Sequence, residues 1–155
     1  YTDSPEWLAQ NMRSTRNFLR KWGHFVMHDK LMKPIVPPKY NVGFIISNCN
    51  DSILKELEPW CDNIYVDIDY KKYIELEQPN TIINLSTRIL PLHNEKNNDI
   101  LVEINGATFN LTDFFNIQKL SQILEQSGGV GEFKLGNLFI NVIQFQTYTN
   151  NLIKL

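Results

Sequence analysis

The chain has 155 residues, 43% of them hydrophobic, 12% aromatic and 21% charged, with a formal net charge of −2. That composition excludes a disordered or collagen-like chain, and the length suits one domain with room for an appended arm. No apolar run approaches the ~20 residues that span a bilayer, and the slight acidity argues against a nucleic-acid binder, which as a rule is basic.

The charge is unevenly spread. Residues 1–40 carry seven Lys/Arg against three Asp/Glu, whereas the remainder carries eight against fourteen, densest from Asp51 to Glu77. Residues 1–39 therefore read as an arm or the tail of a preceding domain, and residues 40–155 as a single α/β domain. The basic arm either packs against the acidic half, faces an anionic partner or is solvated. A chain that opens on Tyr1 without Met is expected to be a fragment or a processed product.

Ser4-Pro5-Glu6 reads as an N-cap, a first helical residue and an acid in the first turn. Trp7, Leu8, Met12, Phe18, Leu19 and Trp22 then recur at helical spacing, with Arg13, Arg16 and Arg20 largely on another face and Gly23 as the stop. This N-terminal amphipathic helix is expected to dock its apolar face on protein. A stiff connector follows over 32–39, where Pro34, Pro37 and Pro38 hold the chain extended.

Asn41–Ser47 is short and rich in β-formers, a buried strand. Asp51 or Ser52 caps a helix carrying Ile53, Leu54, Leu57 and Trp60. Asn63–Ile68 is the second strand, Tyr70–Glu77 a short helix ended by Gln78-Pro79, and Thr81–Leu85 the third strand. This β-α-β-α-β order of nearly continuous apolar strands predicts a small Rossmann-like parallel sheet covered on both faces. Lys96–Asp99 is a polar loop and the best place for an internal subdivision.

The tail reads β-β-α-β-β. Ile100–Ile104 and Ala107–Phe109 flank Asn105-Gly106, a pair suited to a two-residue type I′ hairpin. Asn110 or Thr112 caps a helix with Leu111, Phe114, Phe115, Leu120, Ile123 and Leu124 on one face, stopping at Ser127-Gly128-Gly129. A second hairpin, Glu132–Leu135 and Leu138–Phe145, turns at Gly136-Asn137.

Two places carry candidate chemistry. In an open parallel sheet ligands bind beyond the carboxyl ends of the strands, so the loop after the first strand is well placed. Its Ser47, Asn48, Asn50, Asp51 and Ser52, with the following helix N-terminus, are suited to a phosphate or a sugar hydroxyl. The glycines of a dinucleotide fingerprint or P-loop are missing, and the alternative is a helix cap in a polar turn. Asp67-Ile68-Asp69 ends the second strand. Two carboxylates around one residue share a divalent cation, such as Mn²⁺ or Mg²⁺, through hard oxygen ligands, or one binds ribose hydroxyls; the alternative is a solvated strand end.

The remaining residues point to no catalyst. Cys49 and Cys61 are too few for a disulfide framework and read as reduced thiols of a cytoplasmic protein, a single bridge between them being the alternative. His24, His28 and His93 stand without a carboxylate or Cys at informative spacing, and no nucleophile motif is present. Trp60, Tyr65, Tyr70 and Tyr73 are suited to stacking on a sugar or base, or to the core.

The segment Asn17-Phe18-Leu19-Arg20-Lys21-Trp22-Gly23 resembles the Lys-Trp-Gly element that closes the catalytic domain of family-2-type (GT-A) glycosyltransferases. The resemblance implies that residues 1–23 end a transferase domain and that residues 40–155 are appended to it. The family's Asp-x-Asp lies upstream of that element, whereas Asp67 and Asp69 lie downstream, so its metal site does not transfer to them. The Asn-, Ile- and Lys-rich usage suggests a phage, viral or other AT-rich source.

The expected function is an accessory domain that binds a preceding catalytic domain, a glycan or a nucleotide. One alternative is a nucleotide-sugar-dependent transferase using Asp67 and Asp69 with a divalent cation. The other is a structural subunit that homo-oligomerises through the N-terminal helix.

Overall fold

The computed structural model describes residues 5–23, 31–32 and 39–148. The Ser4 cap, the prolines of the connector, and His24 and His28 lie outside the described residues. In chain order the elements are α1 (Pro5–Trp22), β1 (Val42–Ser47), α2 (Asp51–Leu57), β2 (Asn63–Val66), α3 (Lys71–Glu77), α4 (Leu85–Arg88), β3 (Ile89–Pro91), β4 (Ile100–Asn105), α5 (Leu111–Gln118), α6 (Leu120–Ser127), β5 (Gly131–Leu135) and β6 (Leu138–Val142). Short 3₁₀ turns at Glu58–Trp60 and Gln78–Asn80 extend α2 and α3.

The six strands form one mixed sheet in the order β3-β2-β1-β4-β6-β5. β3, β2, β1 and β4 are parallel, and the β5–β6 hairpin adds antiparallel to β4. The chain is thus α/β, as its strand and helix alternation predicts. Because β1 pairs directly with β4, residues 96–99 join strands of a single sheet.

Two expected strands are absent. Thr81–Leu85 has strand-like residues, yet its backbone is occupied by a side chain: Gln78 Nε2 donates to the carbonyls of Thr81 and Ile83, and Gln78 Oε1 accepts from Leu85 N. With its amides and carbonyls taken, the segment cannot join a ladder, and Asn84 then caps α4. The third strand lies further on, at Ile89–Pro91. The expected hairpin at Asn105-Gly106 is absent as well. A type I′ turn needs φ > 0 at both central residues, and neither residue has it. Gly106 is there for close approach instead: its N–H donates to Ser47 O at 2.8 Å, and a Cβ would stand 2.1 Å from Asn48 O. The tail is therefore β-α-α-β-β.

Other local expectations shift by small steps. Asn50, not Asp51 or Ser52, caps α2, its side chain accepting from Ile53 N. Asn110 caps α5 in a reciprocal box with Asp113. The helix after it is two pieces, since Lys119 leaves helical geometry, and Gly128 ends α6 in the left-handed conformation.

Period-two alternation sorts the strand residues onto two unlike faces. Val42, Phe44, Ile46, Ile64, Val66, Ile89, Ile100, Val102, Ile104, Leu138, Ile140 and Val142 share one face and one core cluster. Leu19, Leu54, Leu57, Leu85, Ile117, Leu120 and Leu124 join the same cluster, so α1, α2, α4, α5 and α6 all cover that face, with α3 against its edge. The opposite face holds Gly43, Ile45, Tyr65, Leu101, Glu103, Phe139 and Asn141. Among the described residues it is crossed by the loop from β3 to β4. Asn98 lies on Gly43, where a Cβ would meet its Oδ1 at 2.4 Å, and Lys96 Nζ stands 5.1 Å from the Tyr65 ring centroid.

Candidate functional site

The carboxyl ends of β1, β2, β3 and β4 meet at one end of the sheet, and the residues picked out in the sequence gather there. After β1 the chain turns sharply, with Asn48 at φ 52. This exposes two successive amides, and Asp67, at the end of β2, takes both. Asn48 N donates to Asp67 Oδ2 at 2.7 Å and Cys49 N to Asp67 Oδ1 at 3.0 Å. On its other side the loop is tied to the exit of β4, where Asn48 Nδ2 donates to Asn105 Oδ1 at 2.9 Å. The loop Ser47–Ser52 is therefore braced from both neighbouring strands.

This bracing changes the chemistry on offer. In a dinucleotide site the amides after β1 face a phosphate; here a resident carboxylate accepts from them. Asp67 keeps about half of its lone-pair capacity, since an ionised carboxylate offers about four acceptor positions. Asp69 is turned to a different task, its Oδ1 accepting from Lys71 N in the first turn of α3 at 3.0 Å. Ser47, Asn48, Asn50, Asp51 and Ser52 are exposed at this end. Among the described residues, no three His, Cys, Asp or Glu side chains are grouped to hold a metal ion.

Beside Asp67 lies a cleft of about 530 Å³ between the ends of β2 and β3, lined by Val66, Asp67, Ile68, Pro91, Leu92 and His93. Its wall is mostly apolar, with one carboxylate and one imidazole at the rim. Leu92 N donates to Val66 O at 3.0 Å and fixes the far lip. The sequence singles out Asp67 but no cleft, because the third strand is expected at 81–85 and residues 91–93 then fall in an unassigned loop. A Pro-Leu-His run directly after a strand is the signal that identifies this lip.

Cys49 and Cys61 are both buried and unbridged. Burial, with the Asp67 charge adding to it, pushes the Cys49 thiol up to about 11, and burial pushes Cys61 up as well. Both are thus protonated at neutral pH, the opposite of an activated nucleophile.

A second polar constellation lies under α1. The helix packs with Leu19 and Arg20 inward, while Met12 is 57% exposed. Two of its arginines thus share the docked face instead of opposing it. Arg20 grips Glu58 with Nε (3.0 Å to Oε2) and Nη2 (2.6 Å to Oε1), and reaches Glu77 Oε2 at 2.5 Å. Arg16 Nε donates to Glu77 Oε2 at 2.7 Å, and its guanidinium also meets Tyr73. Arg88 completes the group, donating to Glu58 Oε2 at 3.0 Å and to the carbonyls of Glu58 and Cys61. Burial alone would raise the Glu58 carboxyl, but the Arg20 hydrogen bonds and the Arg88 and Arg20 charges outweigh it and hold the group below its ordinary value. Glu77 shifts the same way, through Arg20 and Arg16. Burial, joined by the Glu58 charge, pushes the Tyr73 phenol up.

The chain matches no protein-family model, and comparison with curated proteins and with solved structures found no match.

Proposed function

We propose that this chain is a binding domain for sugar hydroxyls, those of a glycan or of a nucleotide's ribose, serving as the accessory module of a glycosyltransferase-related protein. The cleft beside Asp67 carries the reading. A carboxylate with spare acceptor positions accepts hydrogen bonds from hydroxyls, an imidazole at the opposite lip donates or accepts, and the apolar wall of Val66, Ile68, Pro91 and Leu92 suits the C–H face of a sugar ring. Its place at the carboxyl ends of parallel strands is where a Rossmann-like sheet receives ligands. The attachment to a transferase rests on the resemblance of residues 17–23, in which Lys21-Trp22 end α1 and Gly23, at φ 80, stops it.

Calorimetric titration with nucleotide sugars and with simple glycans tests the reading, with and without Mn²⁺ or Mg²⁺. Saturable binding without the metal, lost in His93→Ala and in Asp67→Asn, is the expected outcome. Binding that requires the metal and fails in both Asp67→Asn and Asp69→Asn would favour the alternative of a cation-dependent transferase. No binding of either ligand class by the folded chain would overturn the proposal.

A further inference from the structure

We propose that Glu58, Glu77 and Tyr73 form a socket for a helix presenting arginines at positions i and i+4, and that α1 is a releasable arm occupying it. The inference is independent of the carboxyl-end cleft and rests on how the charges balance with and without the arm.

Arg16 and Arg20 enter the socket from one helix face. Arg20 is wholly buried and bonded to both carboxylates, and Arg16 is bonded to Glu77, Tyr73 and the Lys55 carbonyl. Each would be fully hydrated if α1 left. The body would not then hold a stranded charge. Glu58 would keep Arg88 at 3.0 Å and the Tyr73 hydroxyl at 2.9 Å, and Arg88 would keep two carbonyls. Glu77 would keep Asn80 and gain water. Removing one partner of a buried ion pair is costly because the other stays desolvated and unpaired; removing the arm as a unit avoids that situation. An apolar docking face has no such property, since release would expose it to water. Among the residues of α1 whose side chains are described, Leu19 is buried in the core with Phe18 and Trp22 half-buried, and Arg20, next to Leu19, is equally buried. α1 also contributes no strand to the sheet. A domain joined to the N-terminal end of α1 would be held or let go with it.

Native-state hydrogen exchange on the full chain, at low and at high salt, tests this. Salt favours the released state by screening the separated charges. Amides of residues 10–22 are expected to exchange through a local opening, faster than those of β1 and β4, and to speed up by roughly threefold or more between 0.05 and 0.5 M salt. β1 and β4 are expected to keep their rates. In Arg16→Met/Arg20→Met the salt response of α1 is expected to vanish, and in Arg16→Met alone, a milder change, to fall by about half. Exchange of α1 together with β1 and β4 in one global opening would overturn the proposal. So would fast exchange of α1 with no response to salt in the unsubstituted chain.

Discussion

The two faces of the sheet are built by different means. On one, aliphatic side chains of every strand meet the helices in a single core in which Phe44, Ile46, Val102 and Ile140 are fully buried. On the other, among the described residues, a loop from β3 to β4 crosses the strands, anchored by Asn98, which accepts from the Tyr65 hydroxyl and donates to Asn41 and Asn63. Parallel sheets are generally covered by helices on both faces. The difference teaches that such a sheet can take a polar crossover over its parallel strands, here on Gly43 of β1 and Tyr65 of β2, with antiparallel strands added only beyond β4. Across β4, β6 and β5, Glu103, Phe139 and Lys134 stand in one cross-strand row.

The contrast can be broken at graded cost. Phe44→Ala on the helix side should lower stability by about 3–5 kcal/mol, measured by urea denaturation, through lost burial and the cavity left behind. Glu58→Ala beneath α1 should cost about 3–5 kcal/mol, because the buried Arg88 would remain desolvated without its carboxylate. Gly43→Ala acts on the other face, where the new Cβ collides with a side chain held by three hydrogen bonds; a loss of about 1–3 kcal/mol is expected. The double variant with Asn98→Ala should be less destabilised than the sum of the two singles, which a thermodynamic cycle reads directly. At the small end, Phe139→Ser on that same face, where the ring is 37% exposed, should cost about 1 kcal/mol through its lost cross-strand contacts.

Acid sharpens the same picture. Glu58 and Glu77 have lowered carboxyl values in the folded chain, so the unfolded chain binds more protons through the ordinary carboxylate range near 4.3. Their contribution is present above that range and is lost as pH falls through the lowered folded values. Glu77→Gln should flatten the decline in urea midpoint between about pH 5 and 3.

Much of the fold is legible in local chemistry. Gly136-Asn137 makes the second hairpin because Gly136 takes φ 62, as the turn requires, and the turn then docks on the buried Asp113. Asn110, Gly23 and Gly128 bound helices for the reasons their types suggest. The errors arise where a distant partner decides. Thr81–Leu85 is withdrawn from the sheet by Gln78, Asn105-Gly106 serves a contact with the β1 exit, and Arg16 and Arg20 are drawn inward by acids far along the chain. Of the site, Asp67 and the Ser47–Ser52 loop come together, as strand-end reasoning anticipates. The bond between them follows from the left-handed turn at Asn48, which the sequence does not announce, and His93 is not visible without knowing where β3 ends. Glu58, an acid set directly between Leu57 and Pro59-Trp60, is the one hint of the buried charge group.

The functional claim rests on the cleft between β2 and β3, and amide chemical-shift mapping tests it most directly. On titrating a nucleotide sugar into the labelled chain, saturable shifts are expected at residues 66–68 and 91–93, with Gly43, Phe139 and the amides of α1 unmoved. Shifts confined to any other surface, or none at millimolar ligand, would contradict the account.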